Sequence, residues 1–326
     1  MDLLITLKSS GKDDADDDNI DGHSLHGVIL WGSHDDDRHE LLCPDDQPQA
    51  WRRTLPMAAE PLVFDYNYDY VADLLVVDGK GARTVLVFSA DRAAHPEQIH
   101  LDSTHSDRLK AQHSNAFVDL NGDGEADVLL TTQTGLELYY RFSGTMVYHG
   151  HLAWPPGVGG GTVASCPVDT CVGQAVFADF DLNGQLDLIL PVCFDIDCKN
   201  SSMYLVPVNE LGAAKSWRWA PMSLDLGKLT FLVPDPGRQS LLRLLAPRVG
   251  DIDLDGFPDL LMPLFNHTSG APETHLLLNT PCGAFTACQP FWRQYQLRPS
   301  FTQGGYRTYR VIHFLQNKYY FSPVCS

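Results

Sequence analysis

Positive charge is what this chain has least of. Its 326 residues carry 23 lysines and arginines against 41 aspartates and glutamates, a formal net charge of −18. Nucleic acid and anionic membrane surfaces attract a positive field, so neither suits this chain as a partner. Long apolar runs are missing too, and none approaches the roughly 20 residues of a membrane-spanning helix. The first residues lack the basic, apolar and small-residue order of a secretory signal peptide. Catalytic signatures are equally scarce. There is no Gly-x-Ser-x-Gly elbow, and His100, His105, His113, His149 and His151 do not have zinc-protease spacing. Gly157-Val158-Gly159-Gly160-Gly161-Thr162 lacks the lysine of a phosphate loop and reads as a turn. These absences predict a protein that is not an enzyme. What remains is 44% hydrophobic, enough for a core, with 26 glycines and 21 prolines marking many turns.

One pattern recurs four times. It reads Asp65-Tyr66-Asn67-Tyr68-Asp69-Tyr70-Val71-Ala72-Asp73, then Asp119-Leu120-Asn121-Gly122-Asp123-Gly124-Glu125-Ala126-Asp127. The third copy is Asp179-Phe180-Asp181-Leu182-Asn183-Gly184-Gln185-Leu186-Asp187, and the fourth Asp251-Ile252-Asp253-Leu254-Asp255-Gly256-Phe257-Pro258-Asp259. Each places oxygen-bearing side chains at positions 1, 3, 5 and 9, and three have glycine at position 6. A short apolar run follows at once: Leu74–Val77, Val128–Leu130, Leu188–Leu190 and Leu260–Met262. A second run comes after each, at Thr84–Phe88, Glu137–Tyr140, Met203–Val206 and His275–Leu278. Runs this short between turn residues predict buried strands rather than helices.

The four starts lie 54, 60 and 72 residues apart, a period that fits the several strands of a β-propeller blade. The sequence therefore predicts an all-β protein, a β-propeller with repeats around 1–60, 61–114, 115–172, 173–246 and 247–297. Asp2-Leu3-Leu4-Ile5 matches position 9 and its following strand, with Val28–Trp31 as the second strand. On that register the chain starts in the middle of a repeat, as a fragment truncated at the N-terminus. After Glu273 no acidic residue occurs, while Arg293, Arg298, Arg307, Arg310 and Lys318 do, so 298–326 reads as a divergent tail, a non-native continuation.

Positions 1, 3 and 5 alternate, which turns three oxygen-bearing side chains into one concavity. Glycine at position 6 permits a tight turn, and the carbonyl of position 7 adds an acceptor. That is a donor set for a hard divalent cation, and calcium tolerates its flexible geometry. The expected ligands are Asp65, Asn67, Asp69 and Asp73; Asp119, Asn121, Asp123 and Asp127; Asp179, Asp181, Asn183 and Asp187; and Asp251, Asp253, Asp255 and Asp259. The rival reading is a solvated Asx turn, because Asp, Asn and Gly dominate turns in general. The Asp251 loop, with four aspartates, is expected to bind best. The Asp65 loop is expected to be weakest, since Tyr70 stands where a positive φ is needed. Asp17-Asp18-Asn19-Ile20-Asp21-Gly22 imitates the motif, but its ninth position falls on Leu25, and a solvated acidic loop is expected there.

Six of the eight cysteines form local pairs: Cys166 with Cys171, Cys193 with Cys198, and Cys282 with Cys288. Cys43 and Cys325 are left over. In an oxidising compartment such pairs read as small-loop disulfides. Zinc held by Cys166, Cys171, Cys193 and Cys198 is the alternative. The calcium loops and two glycosylation sequons, at Asn200 and Asn266, favour the oxidising setting.

The acidic loops resemble the FG-GAP repeats of integrin α-subunit propellers. Gln174–Pro191 with Cys193 and Cys198, then Val249–Leu261, Asn266–Gly270 and Leu276–Cys282 with Cys288 more specifically resemble the T-cell immunomodulatory protein (Linkin) family. Val28–Gly32 and Glu60–Asp73 extend the likeness, from Met1 to about Leu297. The resemblance implies a propeller of seven blades in the full-length family, incomplete here, and calcium as cofactor. It also implies a single-pass type I glycoprotein on the extracellular side of the cell membrane. Its roles would be adhesion and modulation of T cells through a protein partner at the cell surface. Cys166 and Cys171 depart from the family pattern, as does everything after Leu297. A secreted propeller lectin or carbohydrate-active enzyme is the alternative, and its pocket would lie at the central channel.

Overall fold

Alternating apolar runs and Gly/Asp-rich turns give a chain built from strands. A computed structural model describes residues 3–8, 25–30, 52–57, 61–78, 80–89, 96–101, 107–110, 114–158, 168–195, 198–207, 218–222, 224–231, 247–282 and 292–298. The acidic run 13–21, Cys43, Cys166, Cys288, Cys325 and the tail from 299 lie outside the described residues. Among the described residues the structure is all-β apart from a one-turn helix, Val168–Cys171. The chain divides into two compact units, residues 1–108 with 301–326, and residues 109–300.

Among the described residues the first unit holds two sheets. Strands β1 (Leu3–Lys8), β2 (Leu25–Leu30) and β3 (Arg52–Met57) pair antiparallel in that order, with Leu3 opposite Leu30. The second sheet is a meander of β4 (Leu62–Phe64), β5 (Asp73–Val77), β6 (Arg83–Val87) and β7 (Glu97–His100). All five residues of β5 are buried, so this strand has no solvent face. Asp78 shapes the β5–β6 turn, its Oδ1 accepting from the amides of Lys80 and Ala82 at 2.9 and 2.8 Å.

Among the described residues the second unit holds three sheets. Strands β8 (Ala116–Val118), β9 (Asp127–Thr131), β10 (Gly135–Phe142) and β11 (Thr145–Ala153) form one antiparallel meander. Strands β12 (Val176–Ala178), β13 (Asp187–Cys193), β14 (Ser201–Pro207) and β15 (Ala220–Met222) form the next. The third adds β16 (Leu229–Phe231) to β17 (Arg248–Gly250), β18 (Asp259–Asn266), β19 (Ala271–Pro281) and β20 (Arg293–Leu297). Strands β16 and β17 share one edge of β18, with Phe231 opposite Leu264 and Gly250 opposite Asp259. The expected strands after each acidic loop and the second strands beyond them are all present. Four-stranded antiparallel meanders are the blades from which propellers are built.

Side-chain alternation explains how these sheets stack. In β13, Leu188, Leu190 and Val192 enter one core with Leu129, Leu136, Leu138 and Leu152. Ile189 and Cys193 point the other way, into a core with Leu260, Met262, Leu264 and Leu277. A strand buried on both faces needs an unbroken apolar run, and β13 has one, Leu188–Val192. Each such side chain is worth about 1.5–3 kcal/mol of burial.

Candidate cation loops

The four acidic motifs are the turns that lead into β5, β9, β13 and β18. In each the chain winds around its own carboxylates. Oδ2 of the first aspartate accepts from the backbone amide of position 6: Tyr70 at 2.9 Å, Gly124 at 2.9 Å, Gly184 at 2.8 Å and Gly256 at 3.0 Å. The position 5 oxygen accepts from the amide of position 7, seen for Val71, Glu125, Gln185 and Phe257 at 2.8–2.9 Å. Asn67 and Asn121 likewise accept from the amides of Asp69 and Asp123.

Two positions in every loop have left-handed backbone. Position 6 has φ of 66° at Tyr70, 87° at Gly124, 86° at Gly184 and 92° at Gly256. Position 4 has φ of 61° at Tyr68, 75° at Gly122, 58° at Leu182 and 62° at Leu254. The expectation about position 6 holds for its φ. Tyr70 nevertheless adopts it, and the residue is 98% exposed. Position 4 was not foreseen, because Tyr, Gly, Leu and Leu share no chemical signal there.

The ninth residue ties each loop to its surroundings. Asp73, Asp127, Asp187 and Asp259 are all buried. Oδ2 of each accepts from the amide of position 2, namely Tyr66, Leu120, Phe180 and Ile252, at 2.7–3.0 Å. Oδ1 of Asp73, Asp127 and Asp259 accepts from a strand-edge amide far along the chain: Phe88, Arg141 and Asn279, at 2.8–3.0 Å. This carboxylate thus clamps the loop to the hairpin that follows it. Burial pushes Asp73 and Asp127 above the usual carboxylate range, opposed by those amide bonds and reinforced by the acids at positions 1 and 5.

The oxygens that could hold a cation converge unequally. Asp179, Asp181 and Asp187 bring three ligand atoms within 4.8 Å of one another, as do Asp251, Asp253 and Asp259. The loops at Asp65 and Asp119 have asparagine at position 3, and its Nδ2 donates to Oδ2 of the position 5 aspartate, Asp69 or Asp123, at 2.9 Å. In the Asp65 loop, Oδ1 of Asp65 is buried and accepts no hydrogen bond. A buried, unpartnered carboxylate oxygen beside two further acids is costly unless a cation meets it, so the donor set fits calcium. Asn183 and Asp255 occupy position 5 as expected, although both oxygens that they use in the turns above serve the backbone.

Cys193 and Cys198 are joined in a disulfide with Cα atoms 4.9 Å apart. This overturns the zinc alternative, because neither sulfur is a thiolate. Cys171 and Cys282 are disulfide-bonded as well. Of the two sequons, Asn200 is exposed in the turn after Cys198. Asn266 is half-buried at the end of β18, its Nδ2 donating to Glu273 Oε1 at 2.9 Å.

Comparisons with known proteins place these features in context. No protein-family model matches the chain. The T-cell immunomodulatory protein of Mus musculus is 28% identical over 308 residues, covering 91% of this chain and 44% of that protein. The Homo sapiens T-cell immunomodulatory protein is 28% identical over 304 residues, with the same coverage. Protein linkin of Caenorhabditis elegans is 27% identical over 149 residues, 45% of this chain and 22% of that protein. The chain therefore spans less than half the length of the curated relatives it matches. Among solved structures, a lectin of Agrocybe aegerita that recognises non-reducing terminal N-acetylglucosamine aligns with a TM-score of 0.46 and 10% identity, covering 91% of this chain and 66% of that one.

Proposed function

We propose that this chain is a calcium-stabilised, non-enzymatic part of an extracellular cell-surface glycoprotein. Its role, on the likeness to T-cell immunomodulatory proteins, is adhesion and modulation of T cells through a protein partner on the cell surface. The observation that carries the calcium reading is the common loop backbone, with left-handed φ at positions 4 and 6 in all four copies. Asp65, Asn67, Asp69 and Asp73, and their counterparts in the other three loops, would hold the ion. Calcium bound there supplies positive charge that offsets the repulsion between neighbouring carboxylates.

The residues themselves do the positioning. Position 1 fixes the loop to its own position 6 amide, and position 9 fixes it to the hairpin behind. Glycans at Asn200 and Asn266 would belong to the same extracellular setting. Extracellular modules bind calcium with dissociation constants of about 10⁻⁴ to 10⁻³ M. At a tenfold excess over that constant, each occupied loop adds about 1.4 kcal/mol of stability by mass action. Thermal melting in EDTA and in millimolar calcium tests the reading, with a clear rise in Tm expected. Identical melting curves in the two conditions would sink it.

A further inference from the structure

The loop with most acid also has a built-in cation. Arg293, the first residue of β20, reaches into the Asp251 loop although it lies 38 residues beyond Asp255. Its Nη2 sits 3.5 Å from Asp255 Oδ2, and its side chain is only 12% exposed. The side chain is held from three directions. Nε donates to Asn279 Oδ1 at 2.7 Å, and Nη2 donates to the Asn279 carbonyl at 2.7 Å. Its Cζ lies 3.2 Å from the centroid of the Phe257 ring, a stacked cation–π contact. Asn279 in turn gives its amide to Asp259 Oδ1 at 2.9 Å, so the guanidinium is fixed to the frame of the loop. Burial lowers the Arg293 pKa while Asp255 and Asp253 raise it, and a guanidinium stays charged throughout the physiological range.

We propose that Arg293 is a tethered counter-ion that partly replaces calcium in the Asp251 loop and lowers that loop's affinity for it. The inference rests on the calcium reading above and deepens it. It reverses the order expected from acid count, under which the loop with four aspartates binds best. A fixed positive charge beside a cation site repels an incoming divalent ion, and at about 6 Å with the full screening of water that repulsion is about tenfold in affinity. Arg293 also keeps the Asp251 loop folded when calcium is scarce, because part of the repulsion among Asp251, Asp253, Asp255 and Asp259 is already offset.

Calorimetric titration of the full chain with calcium chloride tests this, comparing wild type with Arg293→Gln, Arg293→Met and Arg293→Lys. One class of sites should tighten about tenfold in the Gln and Met variants. The Lys variant, which keeps the charge, should stay near wild type. A role in packing alone predicts the same loss for Lys as for Gln, and no gain in affinity for any variant. Melting in EDTA gives an independent readout: the Gln variant should lose stability without calcium and recover more than wild type on its addition. If one neutral variant does not fold, the other carries the titration. Calcium binding by wild type that is unchanged in the neutral variants overturns the role of Arg293 and leaves the calcium reading intact. No binding by wild type or any variant overturns both.

Discussion

The loops at Asp65 and Asp119 trace the same backbone with opposite choices of residue. The Asp119 loop has glycine at both left-handed positions, Gly122 and Gly124, whereas the Asp65 loop has Tyr68 and Tyr70. Left-handed backbone costs a residue with a Cβ about 1–2 kcal/mol. Two tyrosines accept that cost and still give φ within about 25° of the glycines at the same positions. What enforces the shape is the ring of amides pointing at carboxylates, most of all the bonds from position 6 to position 1 and from position 2 to position 9. Glycine lowers the strain, while the acids impose the conformation.

That contrast can be broken or sharpened by three measurements. The largest effect should come from the ninth position. Asp127→Ala strands the buried amides of Leu120 and Arg141, and Asp73→Ala strands those of Tyr66 and Phe88. Each loss should cost about 3 kcal/mol or more in urea denaturation, equally in both loops. A much smaller loss in the glycine-bearing loop would show that glycine, not the clamp, sets the shape. Next comes the reciprocal exchange at position 6. Tyr70→Gly should stabilise, and Gly124→Tyr destabilise, by about 1 kcal/mol each. A Cβ on Gly124 would meet no atom within 4 Å, so the penalty is conformational and not steric.

The smallest effect is with pH, read in EDTA. The folded-state pKa values of Asp73 and Asp127 lie above the unfolded value, so the folded chain holds these protons more tightly. Their contribution to stability therefore rises as pH falls through the raised values, and it levels off below the unfolded pKa. Urea midpoints between pH 7 and pH 4, set against Asp73→Asn and Asp127→Asn, should show the slope in wild type and its reduction in each variant. Saturating calcium should flatten or reverse it, because the ion prefers the charged form.

Much of this architecture can be read without coordinates. The strands β5, β9, β13 and β18 announce themselves, because an acidic turn followed by three or four apolar residues has few other outcomes. Period-two burial in β13 is hidden in the same run, since a strand covered on both faces shows no alternation to detect. The ninth aspartate was legible as an oxygen donor but not as a clamp. Its partners Phe88, Arg141 and Asn279 are 14–20 residues away and offer backbone amides, which carry no side-chain signature. A charged residue directly abutting a buried strand was the available clue, as such a group must find hydrogen bonds. Arg293 was equally invisible, because it is one arginine in a basic stretch and its pairing with Asp255 depends on how β20 lies beside β19. The pairing of β16 with β18 escaped for a similar reason, since 32 residues separate Phe231 from its partner Leu264.

Strand β13 is a party wall. Its odd and even residues serve neighbouring rooms, so a vacancy opened on one side removes the backing from the other. Trimming Ile189 should therefore be felt by the amides of β9 as well as those of β18, and exchange with deuterium should quicken in both. Melting of the second unit would then proceed as one event rather than sheet by sheet.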